Sequence, residues 1–129
     1  MTGVDTNIVV RLLTGDDPEQ AEKARSIFKK GSIHIPETVL LEAEWVLRHA
    51  YNFKPEVIHN AFSKLCGLSN VSLPNPRRMF AVLQWYGEGM DFADALHLAA
   101  SQECKTFLTF DKKLVRKADG NVHCRVKEP

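Results

Sequence analysis

The sequence predicts one α/β domain over residues 1–129, in three layers, with a mainly parallel central sheet flanked by helices. Short apolar segments recur between amphipathic stretches of about ten to fifteen residues, the pattern of repeated βαβ units. Helix starts are punctuated by acids and prolines, as at Asp16-Asp17-Pro18-Glu19 and Lys54-Pro55-Glu56. Four acids (Asp5, Glu42, Asp94 and Asp111) each fall beside a predicted helix start or strand end, the region where open parallel sheets bind ligands.

The first strand ends at Val4, which puts Asp5 at the crevice beyond it. Asp-Thr-Asn before an apolar run also suits a helix N-cap. Ile8 to Leu13 continues the apolar pattern as a short helix or turn, with Arg11 interrupting it. The next helix follows Asp16 and Asp17, read as caps, with Ala21, Ala24, Ile27 and Phe28 inside and Gly31 ending it. Ser32 to Pro36 alternates as a second strand.

A helix then runs from about Glu37 to Tyr51, with Val39, Leu40, Ala43, Val46, Leu47 and Ala50 on its core face. Glu42 and Glu44 border that face on opposite sides, and either is able to reach inward. Leu41 and Trp45 form a second apolar patch, and a helix with two apolar faces has two partners. The helix from Pro55 carries Val57, Ile58, Ala61, Phe62 and Leu65 inside and stops at Gly67.

Val71-Ser72-Leu73 is a short strand. Asn75-Pro76 opens a helix with Met79, Phe80, Leu83 and Tyr86 inside, ending at Gly87 and Gly89. In Asp91 to Ala100 the core wedge is Phe92, Ala95, Leu96 and Ala99, and Asp94 projects from another face. Asp91 is placed as N-cap with Asp94 at the third position, a variant of the capping box. Cys104 to Thr109 reads as a buried strand and Val122 to Val126 as a final edge strand. Between them Asp111 stands before the basic helix Lys112 to Lys117, which it is placed to cap.

Composition is that of an ordinary globular chain, 44% hydrophobic and 26% charged, with net charge +1. With neither a leader nor a membrane-length apolar run in view, a cytoplasmic protein is expected. Cys66, Cys104 and Cys124 match neither a disulfide framework nor a zinc motif and are expected to be buried thiols. The five histidines are scattered, with no pair at metal-ligand spacing. Residues 105–129 hold seven basic residues against three acidic ones, whereas residues 1–60 hold seven against nine. A basic tail beside an acidic site suits a polyanion, although a solvated helix face explains the same lysines.

With these acids in place, the sequence resembles the PIN domain, most closely the VapC-type toxins of bacterial toxin–antitoxin pairs. Val4-Asp5-Thr6-Asn7 matches the opening signature. Ile35 to Glu42, with Ala43 to Leu47, matches the acidic helix and assigns its glutamate to Glu42. Asp91 to Leu98 matches the third motif, with Asp94 as its core acid, and Leu108-Thr109-Phe110-Asp111 matches the fourth. Gly3 inside the first strand departs from the pattern and weakens that strand.

The resemblance implies a metal-dependent endoribonuclease that leaves 5′-phosphate and 3′-hydroxyl ends on single-stranded or looped RNA, often transfer RNA. It also implies a homodimer and a cognate antitoxin. Hard cations such as Mg²⁺ or Mn²⁺ prefer carboxylate oxygen and water. Asp5 and Asp94 are therefore the expected direct ligands, with Glu42 and Asp111 completing the catalytic set. Thr6, Asn7 and Thr109 are expected to support them, and Arg11, Lys112, Lys113 and Arg116 to contact phosphate.

Two other readings stay open: a PIN nuclease of RNA processing without an antitoxin, and an inactive PIN scaffold that binds RNA or protein. A phosphoacceptor signalling domain ranks below both. It would normally place two adjacent acids after the first strand and a lysine after the last core strand. Here Asp5 is followed by Thr6-Asn7, and Asp111 occupies the late position.

Overall fold

The computed structural model describes residues 1–120 and 122–129. Its elements follow in the order β1 (Thr2–Gly3), α1 (Thr6–Thr14), α2 (Pro18–Lys29), β2 (Ile33–His34), α3 (Glu37–His49), α4 (Pro55–Cys66), β3 (Val71–Ser72), α5 (Pro76–Gly87), α6 (Phe92–Ala99), β4 (Thr106–Leu108), α7 (Lys112–Ala118) and β5 (Arg125–Lys127). This is the expected α/β class, and every strand pairing is parallel. The strands form two sheets, β1-β2-β3 and β4-β5, and the chain divides into two compact units, Met1–Pro76 and Arg77–Pro129.

In the first unit β2 is the central strand, with Ile33 opposite both Thr2 and Val71. Parallel neighbours require crossover connections, supplied here by α1 with α2 and by α3 with α4. Beneath them Val9, Ala24, Ile35, Leu40, Leu47, Ile58 and Phe62 are wholly enclosed. The stretch after β1 is a full helix of nine residues, capped by Asp5 and ended by Gly15 at φ +66°, a left-handed conformation in which glycine carries no Cβ penalty.

Asp17 caps α2 by accepting from the Gln20 N–H. Asp16, expected as a second cap, does something else. Its carboxylate accepts from the Tyr51 hydroxyl at 2.6 Å, the Thr14 hydroxyl at 2.8 Å and the Arg11 guanidinium at 2.9 Å. These partners, the Tyr51 hydrogen bond first, hold its pKa at about 2. The folded value lies below the ordinary 3.8, so the network stabilises the fold above that pH and its contribution disappears as pH falls toward 2. Asp16→Asn should therefore flatten the loss of stability between about pH 4 and pH 2, read from urea midpoints across that range.

α3 turns Glu44 inward. Only 2% of this residue is exposed, and Arg48, one turn on, binds it through two nitrogens at 2.8 and 3.2 Å. Ala50, expected in the core, is exposed, and Trp45 is 58% exposed with its ring against His49 at 4.8 Å. On α4 the buried residues are Ile58, Phe62 and Leu65, while Val57 faces out.

In the second unit α5 buries Met79, Leu83 and Tyr86 as expected, adds Val82 and Trp85 to the core, and leaves Phe80, expected inside, 64% exposed. The Tyr86 ring meets Phe92 of α6 edge to face at 5.2 Å. β4 is more open than expected: Thr106 and Leu108 are exposed, and Phe107 is half-buried. The last strand begins at Arg125, not at Val122. All three cysteines are free thiols. Cys124 is buried, burial raises the Cys66 thiol to about 11, and Cys104 is exposed, contrary to expectation. Among the described residues no helix is long and apolar enough to cross a membrane.

Candidate acidic site

Each unit positions its acids at the carboxyl end of a strand or on the helix beside it. In the first unit Asp5 follows β1, and its Oδ1 accepts the Ile8 N–H at 3.3 Å. A carboxylate has about four lone-pair sites, so this cap leaves Oδ2 able to bind another partner. Thr6, nearly buried at the first position of α1, donates its hydroxyl to Glu42 Oε1 on α3. This bond joins two residues 36 positions apart and fixes the glutamate's carboxylate against the start of α1. Of the two candidate glutamates, Glu42 is the exposed one, and Glu44 is committed to Arg48. Asn7 is exposed beside them.

In the second unit Asp91, Asp94 and Asp111 share the wall of one cavity of about 250 Å³ with Gly89, Met90, Lys113, Leu114 and Lys117. Asp91 caps α6 through the Asp94 N–H at 3.2 Å. Asp111 caps α7 by accepting the Lys113 and Leu114 N–H groups on Oδ1, at 2.9 and 3.1 Å. Thr109 in turn accepts the Asp111 N–H on its hydroxyl. Asp94 lies inside the first turn of α6, half-buried. Burial raises its pKa, and the neighbouring charges of Asp91 and Asp111 raise it further, against a smaller opposing pull from His97.

Gly89, at φ +102°, lines the same cavity. An added Cβ there would come within 3.0 Å of the Lys117 Nζ, so the turn both needs glycine and keeps the lysine close.

Of the expected phosphate contacts, Lys113 lines this cavity, and Lys112 and Arg116 are exposed on α7. Arg11 is engaged by Asp16, Gln20 and Tyr51, which favours the α7 cations over it. Sequence reasoning gave no role to Lys117 or Gly89 at the cavity. The helical spacing of Lys113, Leu114 and Lys117 was the available signal.

The donors are all oxygens, the chemistry suited to Mg²⁺ or Mn²⁺. Among the described residues no three His, Cys, Asp or Glu side chains are grouped to hold an ion by themselves. Mg²⁺ usually takes one or two carboxylates, with water and substrate phosphate supplying the other ligands, and that arrangement fits paired carboxylates in an open cavity.

Comparison with known protein families matches residues 4–120 to the PIN domain. No curated protein matches the chain. The match spans nearly all of the sequence and contains every acid described above. The chain therefore belongs to the PIN domain family, whose members are generally nucleases.

Proposed function

We propose that this PIN domain is an Mg²⁺- or Mn²⁺-dependent endoribonuclease, acting as a toxin that cuts RNA, transfer RNA among its candidate substrates, and blocks translation until a cognate antitoxin neutralises it. The observation that carries the nuclease reading is the cavity that Asp94 lines together with Asp91 and Asp111, where burial first and the two neighbouring charges next disfavour its charged form. A site that holds carboxylates together against their own repulsion is one a cation stabilises.

Asp94 and Asp5 are assigned as direct ligands, and Asp111 and Glu42 as the remaining catalytic acids. Thr6 orients Glu42 by its hydrogen bond, and Thr109 steadies the chain at Asp111. When bound, the cation lowers the pKa of an attacking water and polarises the scissile phosphate. Lys112, Lys113 and Arg116 attract the phosphate backbone, and Asn7 is available to hydrogen-bond substrate or water. Incubating purified protein with single-stranded RNA tests the proposal. Cleavage to 5′-phosphate and 3′-hydroxyl ends is expected with Mg²⁺ or Mn²⁺ and none in EDTA. Full activity in EDTA would remove the metal from the mechanism.

The toxin reading rests on the motif resemblance, and co-purification with the product of a neighbouring gene is its test. A homodimer belongs to the same proposal. Trp45 stands 58% exposed on α3, outside the core stripe, and exposed aromatic area of this kind is typical of interfaces. Trp45→Glu should convert a dimer to a monomer in light scattering at micromolar concentration. An unchanged mass would place the interface elsewhere.

A further inference from the structure

The helix α7 has a cavity on each flank. One is the acidic cavity, reached by Lys113, Leu114 and Lys117. The other is a wider cleft of about 570 Å³, whose wall includes Val115 and Arg116 of α7, Lys105 ahead of β4, and His123 and Arg125 at β5. Lys105, Arg116 and Arg125 stand there against one acid, Asp119, among the described residues of the wall.

The Arg125 N–H donates to the Lys105 carbonyl at 2.9 Å, and Thr106 pairs with Arg125. Two of the cationic residues are thus held side by side where the strands begin. Arg11, Arg25 and Arg48 each bind a carboxylate. Among the described residues Lys105, Arg116 and Arg125 bind none.

We propose that this cleft binds the phosphodiester backbone of single-stranded RNA, a short distance along the strand from the bond cut at the acidic cavity. The inference rests on the nuclease reading and adds what that site lacks. Asp91, Asp94 and Asp111 repel an incoming polyanion, so substrate affinity must come from cations that the acids do not neutralise. A helix with its side chains is about 10–12 Å across, and stacked nucleotides advance about 3.4 Å each. A strand crossing α7 therefore places a phosphate in the cleft roughly three nucleotides from the cavity, or fewer when extended. A regular anionic chain satisfies both flanks of the helix.

The test uses full-length protein carrying Asp94→Asn, so that binding is read apart from cleavage. A fluorescent single-stranded oligonucleotide is titrated over a range of salt, with and without Lys105→Gln, Arg116→Gln and Arg125→Gln combined. Each phosphate contact on a single strand contributes about 0.7 to the slope of log K against log salt. The triple variant should therefore lose about 2 from that slope and bind at least roughly tenfold more weakly near 0.1 M salt. Each single variant should lose about a third of that slope, so misfolding of the triple variant does not shelter the proposal.

Lys23→Gln, Arg25→Gln and Lys64→Gln combined change the net charge equally, and an equal loss there overturns the proposal. So does a cleft that binds poly-glutamate but not RNA, since its partner is then a protein. Binding is read apart from cleavage. If wild type cuts RNA while the cleft variants bind it unchanged, the cleft assignment fails alone. If wild type does not cut but the variants still lose binding, the nuclease reading fails and the cleft stands as an RNA-binding surface.

Discussion

Asp94→Asn should abolish RNA cleavage and, in metal-free buffer, raise the melting temperature. Loss of a supporting residue around a metal typically costs about 10–100-fold, so losing a direct ligand should cost at least about a hundredfold in kcat/KM. The stability gain has a separate cause. Burial and the charges of Asp91 and Asp111 raise the Asp94 pKa in the folded protein, so ionisation of Asp94 opposes folding. Wild type should then lose stability as pH rises through the window that starts at the ordinary 3.8 and ends at the raised value. The asparagine variant has no such window and should stay above wild type at neutral pH. In a chain of this size each kcal/mol of relieved repulsion is worth roughly 3–6 °C.

Mg²⁺ or Mn²⁺ should raise the wild-type melting temperature more than the variant's. A destabilised variant, indifferent to metal, would take Asp94 out of the site. Asp91→Ala is the contrast: loss of its cap on α6 costs about 1 kcal/mol of stability and far less activity. Equal loss of activity from the two substitutions would make Asp91 a ligand.

Arg48→Met should destabilise the fold by up to about 3 kcal/mol, the lower end of the range for breaking a buried ion pair from one side, because Glu44 is enclosed while Arg48 is only half-buried. Glu44 is almost wholly enclosed, and two Arg48 nitrogens hold its carboxylate. Methionine keeps much of the aliphatic stem but leaves that charge without its guanidinium. Replacing both partners, as Glu44→Leu with Arg48→Met, should recover most of the loss, because an apolar pair of similar volume removes the desolvation cost from both sides. Urea unfolding of the three variants, with a double-mutant cycle, checks this. A double variant no more stable than Arg48→Met would mean that Glu44 serves another element besides Arg48.

The local signals read best were those whose physics is local. Asp17-Pro18, Lys54-Pro55 and Asp91 each mark a helix start through the few residues that follow, and all three starts stand where expected. Faces were harder to read. Phe80 and Val57 satisfied the helical period, yet Val82 and Trp85 are buried while Phe80 and Val57 are exposed. Periodicity finds an apolar stripe without saying which of two overlapping stripes meets the core.

Glu44 sat on a border that allowed either direction, and its buried carboxylate is held by Arg48 one turn away. Asp16 looked like a cap because its partner Tyr51 lies 35 residues away. The Thr6–Glu42 hydrogen bond likewise joins two motifs that each looked self-contained in the sequence. For the second unit's acids the order of motifs was legible, whereas their shared cavity brings together residues at the starts of α6 and α7 that lie about twenty positions apart in the sequence.

Three of these acids serve the fold as helix caps: Asp5 for α1, Asp91 for α6 and Asp111 for α7. Asp94 is different, an interior helix residue whose carboxylate caps nothing among the described residues. Selection on folding alone would preserve the first three in a PIN lineage without nuclease activity, since losing a cap costs about 1 kcal/mol. It would not preserve Asp94, whose charge works against the metal-free fold. Drift after loss of activity should therefore erase the acids unevenly, with Asp94 going early and the caps surviving as relics. A relative that keeps Asp5 and Asp111 but has asparagine or alanine at position 94 would be a retired enzyme still carrying the outline of its site.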